Sequence, residues 1–424
     1  MRKIFLVALI FLLNVSTCAA SELEDAELRL VCAVCSMGAY SDDESYLMRS
    51  MLTSRGWQIE KISKKNNLAD AKAYLVSKGD VKILTIAGTE NLKDVEVDFR
   101  VGRVTLDKNS VPLAEKDKNS GDKIFVHRGF RDYSDVVLSD GLAERLKASL
   151  IKNPRETLYL TGHSIGGSVA IIAAARLADM GVTKNRLKVI TFGSPAVGSR
   201  IFAKNYADKI DLTRAVMKGD VIKKSLRALG YVQFGDALEY RQSVTGDDFE
   251  HKMAVYLDCA IRDYINCGGN FKHDSTNKIH VPIYVAPILL VEDSFHKSDR
   301  ELILNALNDS LTNHFSDLVF AEEQSLEIDD KRIFDADFDE FVDAGKNLGC
   351  KYILIRVLRA TKIRDAPLGD RQVTLEEIIL DKSGVPLSMQ TSGSTTKELT
   401  IFEAAIASQE VLNERLKVFL GANP

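Results

Sequence analysis

The segment Leu158–Gly167, with the sequence LYLTGHSIGG, constrains this chain most strongly. A short apolar run ends in Gly162-His-Ser164-Ile-Gly166 and passes directly into an alanine-rich segment. A G-x-S-x-G pattern between a strand and a helix is typical of a nucleophile elbow, a tight turn that exposes a serine hydroxyl at the end of a strand. Glycines flank the serine because such a turn leaves little room for Cβ atoms. The alternative is an ordinary strand-to-helix turn with a solvent-facing serine.

Length and charge limit the classes of protein to consider. The chain has 424 residues, of which 45% are apolar, which is enough for two or three domains with packed cores. The net charge is −4 and the sequence has no basic stripe, so we expect no nucleic-acid partner. After residue 20 there is no apolar run of about 18 residues, so we expect no membrane-spanning helix there.

Residues 1–20 predict a secretory signal. Basic residues at positions 2 and 3 precede an apolar run over residues 4–13, and small residues follow as far as Ala20. Export to the periplasm or the medium is therefore expected, with cleavage near Ala19 or Ala20. Cys18 lies in a loose lipobox, but Thr17 stands where Gly, Ala or Ser is usual, so a lipoprotein anchor at Cys18 is not favoured.

Five cysteines follow residue 20, and this odd number leaves at least one without a partner among them. The spacing of Cys259 and Cys267 fits a small disulfide in an oxidising compartment. Cys32 and Cys35 lie in a predicted helix and fit two buried side chains. No second pair at ligand spacing indicates zinc.

Strand and helix patterns alternate over the first two thirds of the chain. Strands are predicted at residues 81–86, 187–192 and 212–217, and helices at 66–78 and 136–151. This alternation predicts an α/β fold with a mostly parallel sheet covered on both faces.

A domain boundary is predicted where loop-forming residues cluster at 270–280. The expected domains are a larger α/β domain over residues 21–275 and a smaller α/β domain over residues 280–424. The second domain is predicted to contain amphipathic helices, a hairpin near residues 373–396 and a closing helix from Ile401.

A serine nucleophile needs a base, a group that orients the base, and an oxyanion site. In α/β hydrolases the chain order is nucleophile, acid, histidine. Asp220 follows the strand at 212–217 and fits the acid, although a turn aspartate is the alternative. His251, His273 and His280 follow in the order required of the base. His251 begins a helix-like run that would fix its position, whereas the other two lie in the predicted linker.

Residues from about 80 to 260 resemble the class 3 lipases, the fungal-lipase-like branch of the α/β hydrolases. Six blocks carry the resemblance in the right order: Ala87-Gly-Thr-Glu-Asn-Leu-Lys-Asp94 with Asp98, Val126-His-Arg-Gly-Phe130, Leu158–Gly167, Thr191-Phe-Gly-Ser-Pro195, Arg214–Asp220, and His251-Lys-Met-Ala-Val-Tyr256.

The resemblance implies a role for each matching position. It assigns Ser164, Asp220 and His251 to the catalytic triad. It assigns the backbone N–H groups of Thr89 and Ile165 to the oxyanion hole, with Asp98 supporting Thr89. His163 is then expected to have a packing role, and neither a metal nor a cofactor is required.

The sequence also departs from the family pattern. Ala87 replaces a common arginine, Val95 or Glu96 stands where tryptophan is common, and the interval from Asp220 to His251 is shorter than in fungal members. No amphipathic lid helix is evident in the charged residues 91–121. These departures bear on the substrate rather than on the catalytic groups.

Together these features predict an exported serine hydrolase that cleaves carboxylic esters of lipids, of the triacylglycerol lipase or phospholipase type. The expected partners are the lipid or ester substrate and a peripheral membrane surface. One alternative is a non-catalytic envelope scaffold on a lipase fold, and another is an esterase or thioesterase of small substrates. Residues 280–424 loosely resemble small envelope domains, including the N-terminal domain of the Tol-system periplasmic protein, which suggests an envelope partner.

Overall fold

Two compact units make up the described part of the protein. The computed structural model describes residues 21–40, 48, 51–65, 70–88, 102–106, 124–220, 222, 226–241, 251–272, 277–291, 297–328, 338–363, 371–395 and 401–422. Within these residues, one unit runs to residue 241 and includes 251–267, and the other unit begins at residue 268. The predicted secretory signal and Cys18 lie outside the described residues.

The first unit is built on a seven-stranded sheet. Its strands are β1 (Gln58–Lys65), β2 (Asp70–Lys78), β3 (Val81–Ile86), β6 (Thr157–His163), β7 (Leu187–Phe192), β8 (Asp211–Met217) and β9 (Asp236–Tyr240), in that spatial order. β1, β2 and β3 pair antiparallel, and β3 and β6 to β9 pair parallel. β4 (Arg103–Thr105) and β5 (Phe125–His127) form a separate antiparallel pair. The predicted α/β class with a mostly parallel sheet is confirmed.

Six α-helices of eight or more residues accompany this sheet in the described residues. They are α1 (21–38), α2 (Arg128–Val137), α3 (Leu142–Lys152), α4 (Ile165–Asp179), α5 (Arg200–Ala207) and α6 (Met253–Asn266). Nearly all of α4 is buried, and its alanines at 170 and 173–175 allow close packing in the core. A helix that is apolar all round belongs in a protein interior. The segment after Ser164 is therefore held rigidly by the core.

Residues 66–78 were predicted as a helix, and this prediction is wrong. Residues 70–78 form β2, which pairs with β1 on one side and β3 on the other. Ala71, Ala73 and Leu75 are buried in that strand. Alanine favours helices as an isolated residue, but burial between two strands overrides this weak preference.

The single helix predicted over residues 136–151 is two helices, α2 and α3. Both Asp140 and Gly141 have positive φ, 52° and 78°. Such values are incompatible with a continuing right-handed helix. The chain therefore turns between Val137 and Leu142, and both helices bury apolar residues in the same core.

The four cysteines that the structure describes in the first unit are free thiols, so the predicted Cys259–Cys267 disulfide is absent. Cys259 lies within α6, and Cys267 is the residue that caps its end. Eight residues of helix advance about 12 Å, too far for a disulfide to close. Cys32 and Cys35 are buried in α1, as predicted, and burial raises the pKa of Cys32 to about 12.

The second unit is also an α/β structure. Its strands are β10 (Ile283–Val285), β11 (Ile288–Val291), β12 (Leu318–Phe320), β13 (Ser325–Ile328), β14 (Tyr352–Lys362), β15 (Arg371–Asp381) and β16 (Pro386–Thr395). Its helices are α7 (Lys297–His314), α8 (Asp339–Asn347) and α9 (Ile401–Ala422). The strands form one sheet in which β14, β15 and β16 are an antiparallel series.

The division between the two units falls slightly before the predicted boundary. The backbone of Phe271 bonds with Asp309 and Asn313, both on α7, so this residue already belongs to the second unit. The domain limits 21–275 and 280–424 stay a prediction. None of the helices in the described ranges combines the length and the apolar character that a membrane span requires.

Candidate active site

Ser164 lies in a strained turn between β6 and α4. Its φ and ψ are 55° and −125°, values that are rare for a residue with a side chain. A Cβ on Gly162 would come within 2.5 Å of the carbonyl carbon of Gly166, and a Cβ on Gly166 would overlap the carbonyl oxygen of Ile86. Both glycines are thus required by close backbone approaches, as the elbow pattern predicts. The Ser164 N–H donates to the Phe192 carbonyl at the end of β7, 2.9 Å away.

Asp220, His251 and Ser164 form a continuous hydrogen-bonded chain. Nδ1 of His251 lies 2.8 Å from Oδ2 of Asp220, and Nε2 of His251 lies 2.9 Å from Oγ of Ser164. A carboxylate only accepts, so Nδ1 carries the proton and Nε2 accepts from the serine hydroxyl. Asp220 and Ser164 are each 2% exposed. The structure therefore brings together three side chains from separate parts of the sequence.

The position of Asp220 follows from the sheet. β8 ends at Met217, at the same edge of the parallel sheet where β6 leads to Ser164. One oxygen of Asp220 accepts from the Ile222 N–H at 2.8 Å, and the other accepts from the Tyr256 hydroxyl at 2.7 Å. Tyr256 accepts in turn from the Met217 N–H at 3.1 Å. Both carboxylate oxygens are thus fixed by donors.

Tyr256 remains a neutral donor at this site. Burial, followed by the negative charge of Asp220, raises the pKa of the Tyr256 phenol well above its ordinary value. Tyr256 lies five residues after His251, in the first turn of α6. Tyr256 is part of the sequence block His251–Tyr256, but the sequence did not indicate its contact with Asp220.

Ile165 is the first residue of α4. The N–H groups in the first turn of a helix have no intrahelical acceptor, and the helix dipole is positive at this end. The Ile165 N–H directly follows the serine and can therefore stabilise an oxyanion that forms there. Thr89, the other predicted oxyanion residue, and Asp98, its predicted support, lie outside the described residues.

His163 does more than pack beside the serine, so the expected packing role is incomplete. Its Nε2 lies 2.7 Å from the backbone carbonyl oxygen of His251, and its Nδ1 lies 2.7 Å from the hydroxyl of Tyr40. Burial, followed by the neighbouring His251, lowers the pKa of His163 well below its ordinary value. Sequence reasoning missed Tyr40 because it is 123 residues from His163 and belongs to no motif.

His273 and His280 were the other candidates for the base. His280 has an exposed side chain that bonds with Ser316, and His273 lies outside the described residues. Among the residues that the structure describes, no group of three or more His, Cys, Asp or Glu side chains could hold a metal ion.

A parallel sheet, a strained serine elbow and the order Ser164, Asp220, His251 define the α/β-hydrolase class of folds. Residues 83–228 match the family model described as lipase (class 3). This match covers about one third of the chain and confirms, over that segment, the predicted resemblance to the class 3 lipases.

Individual relatives match parts of the same region. A secreted mono- and diacylglycerol lipase of Fusarium solani is 28% identical over 138 residues, which cover 32% of this chain and 37% of that protein. A chloroplastic phospholipase A1 of Arabidopsis thaliana is 28% identical over 107 residues, 24% of this chain and 16% of that protein. The chain spans less than two fifths of the length of these curated relatives.

Solved lipase structures are also similar to part of the chain. The lipase of Rhizopus microsporus var. chinensis is 20% identical, with a TM-score of 0.42, and the match covers 52% of this chain and 75% of that one.

Proposed function

We propose that this protein is an exported serine hydrolase that cleaves carboxylic esters of lipids. The observation that carries the proposal is the chain of two hydrogen bonds from Asp220 through His251 to Ser164, at 2.8 and 2.9 Å. The nucleophile in this chain lies on a strained elbow, next to the N-terminus of a buried helix. The arrangement has the chemical parts of acyl transfer: a nucleophile, a base, a group that orients the base, and an oxyanion donor.

The first half of the reaction forms an acyl-enzyme. Oγ of Ser164 attacks the ester carbonyl carbon while Nε2 of His251 takes the hydroxyl proton. The carbonyl oxygen becomes an oxyanion, which the Ile165 N–H stabilises, together with Thr89 if it acts as the family resemblance implies. When the tetrahedral intermediate collapses, the bond to the alcohol breaks and His251 donates its proton to the leaving alkoxide.

The second half of the reaction regenerates the enzyme. A water molecule attacks the acyl carbon while His251 takes one of its protons, and the bond to Oγ of Ser164 then breaks. Oγ recovers a proton from His251, and the carboxylic acid leaves. Asp220 keeps the Nδ1 proton of His251 in place and stabilises the imidazolium in both halves.

Two kinds of observation support a lipid substrate and export. The relatives that match residues of this region are described as an acylglycerol lipase and a phospholipase A1, so we propose acylglycerols or phospholipids as substrates. The basic and apolar pattern of residues 1–20 supports export.

The direct test is hydrolysis of p-nitrophenyl esters from short to long acyl chains, and of phospholipid vesicles, by the wild type and by Ser164→Ala. We expect activity that increases with chain length and that Ser164→Ala abolishes. A preference for short, soluble esters would replace the lipid substrate with a small-ester substrate. Activity that is absent, or that persists in Ser164→Ala, would contradict the hydrolase.

A further inference from the structure

A second hydrogen-bonded pair, Tyr40 and His163, contacts the backbone of His251. The backbone carbonyl of His251 can only accept, so Nε2 of His163 donates to it across 2.7 Å. A neutral imidazole then has a lone pair on Nδ1, which accepts from the Tyr40 hydroxyl across 2.7 Å. The direction of donation is thus fixed along the whole series, from Tyr40 through His163 to His251.

His163 is buried, and the Tyr40 hydroxyl lies close to the backbone at Gly88. His163 is 6% exposed. A Cβ on Gly88 would overlap the Tyr40 hydroxyl and would lie 2.6 Å from the His163 carbonyl oxygen. Gly88 is the second residue after β3, so the hydroxyl of the half-buried Tyr40 lies between the chain that follows β3 and the His163 ring. The hydroxyl therefore has little room to move away from His163.

The position of the His251 carbonyl affects where the His251 imidazole lies. His251 lies just before α6, which begins at Met253, so the helix itself does not fix the His251 peptide group. Its imidazole has to meet Asp220 and Ser164 at once, and a misplacement of about 1 Å can lower a rate 100-fold. The hydrogen bond from His163 fixes the peptide group from which this imidazole extends.

The imidazoles of His163 and His251 are close enough that a charge on one would repel a charge on the other. Their ring centroids are 4.8 Å apart. A charged His163 would oppose protonation of His251, because like charges at this distance disfavour each other. Burial, followed by the neighbouring His251, lowers the pKa of His163, so its imidazole is neutral and Nδ1 has a lone pair that accepts from Tyr40. The hydrogen bond from Tyr40 therefore stabilises the neutral Nε2–H tautomer, the form that donates to the His251 carbonyl.

We propose that Tyr40 and His163 are positioning residues that hold the peptide group of His251, and through it the imidazole, in line with Ser164. This inference rests on the proposed function, because it assigns a role in that same reaction. Neither residue exchanges a proton with the substrate. The positioning role involves only residues of this chain and no further ligand.

The test compares Tyr40→Phe, His163→Phe and His163→Gln with the wild type. His163→Phe removes the donor to the His251 carbonyl, whereas the amide of His163→Gln places an N–H donor where Nε2 was. Tyr206→Phe is the control, because the Tyr206 hydroxyl also donates to a side chain, the carboxylate of Asp179, which lies at the opposite end of α4 from Ser164. Hydrolysis of a p-nitrophenyl ester gives kcat and KM, and titration with a fluorophosphonate gives the concentration of reactive serine.

The expected result is a loss of kcat per reactive serine with KM unchanged. We expect about a tenfold loss for Tyr40→Phe and about a 10- to 100-fold loss for His163→Phe. His163→Gln should recover most of the loss, and Tyr206→Phe should retain wild-type kcat. A purely structural role would lower the melting temperature and the fraction of reactive serine, but not kcat per reactive serine.

A spectroscopic measurement tests the direction of donation independently of the rate. The ¹⁵N chemical shifts of His163 distinguish a protonated ring nitrogen from an unprotonated one. We expect the neutral Nε2–H form in the wild type and a shift toward the Nδ1–H form in Tyr40→Phe. A charged His163, or the Nδ1–H form in the wild type, would overturn the inference.

The outcomes separate this inference from the proposed function. Wild-type activity that depends on Ser164, combined with unchanged kcat in Tyr40→Phe and His163→Phe, would overturn the positioning role and leave the hydrolase intact. A rise in KM alone would assign Tyr40 to substrate contact and would also overturn it. A wild type without any Ser164-dependent activity would contradict both.

Discussion

The hydroxyl of Tyr256 lies 2.7 Å from Oδ2 of Asp220, the same oxygen that accepts from Nδ1 of His251. The acid of the candidate triad therefore has two donors on a single oxygen, one from the base and one from a neutral phenol on α6. Because Tyr256 also accepts from the Met217 N–H, it connects the end of β8 with the carboxylate. The position of the Asp220 carboxylate therefore depends on the position of the end of β8.

Tyr256→Phe should therefore weaken both the site and the fold. It removes one donor to Asp220 and one acceptor of the Met217 N–H, which we expect to lower the free energy of unfolding by about 1–3 kcal/mol. We expect kcat to fall about tenfold, because Asp220 orients the imidazole less precisely. Asp220→Asn should cost far more, about 10⁴-fold, since the amide favours the wrong tautomer of His251. Equal kcat in Tyr256→Phe and the wild type would contradict this role.

Gly166→Ala should destabilise the first unit and reduce its activity. The new methyl group would overlap the carbonyl of Ile86 and would lie 2.9 Å from the Gly88 backbone nitrogen, so the end of β3 or the elbow has to move. Overpacking of this kind costs about 1–3 kcal/mol. Trp57 is the single tryptophan and lies in this unit, so its fluorescence during urea unfolding measures the loss.

Gly129→Ala is the matched control for that substitution. Its methyl group would lie 3.4 Å from the His127 ring, an ordinary contact, and alanine suits a helical position better than glycine. We expect stability that is unchanged or higher by up to about 1 kcal/mol. If Gly166→Ala behaved like this control, the elbow would not be as tightly enclosed as we describe.

His163 should make the first unit less stable in acid. Its pKa in the unfolded chain is near 6.5, and in the folded protein it is well below that value. As the pH falls below 6.5, the unfolded chain therefore binds a proton that the folded protein does not bind, and the free energy of unfolding decreases. For one group this loss is up to about 2 kcal/mol between pH 6.5 and pH 5.

Replacing His163 with glutamine should remove that part of the pH dependence. We expect urea unfolding followed by Trp57 fluorescence to show a smaller decrease from pH 6.5 to pH 5 in His163→Gln than in the wild type. The comparison is between slopes, so a constant loss of stability in the variant does not affect it. Parallel pH profiles would mean that His163 takes up its proton in the folded state.

The second unit contains a buried charged pair, Arg356 on β14 and Glu377 on β15. Both are fully buried; burial lowers the pKa of Arg356 and raises that of Glu377. Arg356 donates to Asn308 on α7, and Gln409 on α9 donates to Glu377. Arg356→Met leaves Glu377 without a cation, and we expect a loss of about 3–5 kcal/mol at pH 8. At pH 5 the loss should be smaller, because Glu377 can then take up a proton.

Hydrogen exchange of β14 and β15 measures this effect, since the second unit has no tryptophan. The double variant Arg356→Met with Glu377→Gln should recover most of the loss, because it leaves no isolated charge. Arg415→Met is the control on an exposed residue of the same unit, and we expect a change of less than about 1 kcal/mol. A double variant less stable than Arg356→Met alone would show that the pair is not the cause.

The three residues of the candidate triad were easier to predict from the sequence than the residues that hold them in place. Ser164, Asp220 and His251 each follow a recognisable strand or precede a helix, and their order along the chain limited the choice of base to His251, His273 or His280. The hydrogen bonds from Tyr256 and Tyr40 depend on tertiary distances that no local pattern contains. His163 was visible in the elbow motif, but its direction of donation depends on where the His251 carbonyl lies.

The fold was predictable in its class and less so in its elements. The alternation around β6, β7 and β8 predicted a parallel sheet because buried parallel strands are short, continuous apolar runs. β2 was missed because its alanines fit a helix until pairing with β1 and β3 is known. The break at Asp140 and Gly141 was missed because the apolar positions of α2 and α3 together imitate one helix.

The most direct measurement is covalent labelling of the intact protein with a fluorophosphonate, followed by peptide mass spectrometry. Such a reagent modifies a serine only where a base activates it and an oxyanion site accepts the phosphoryl oxygen. We predict one label per molecule, on Ser164, none in Ser164→Ala, and labelling at least about 100-fold slower in His251→Gln. An unlabelled wild type, or a label on Ser164 that forms equally fast without His251, would contradict the Ser164–His251–Asp220 mechanism.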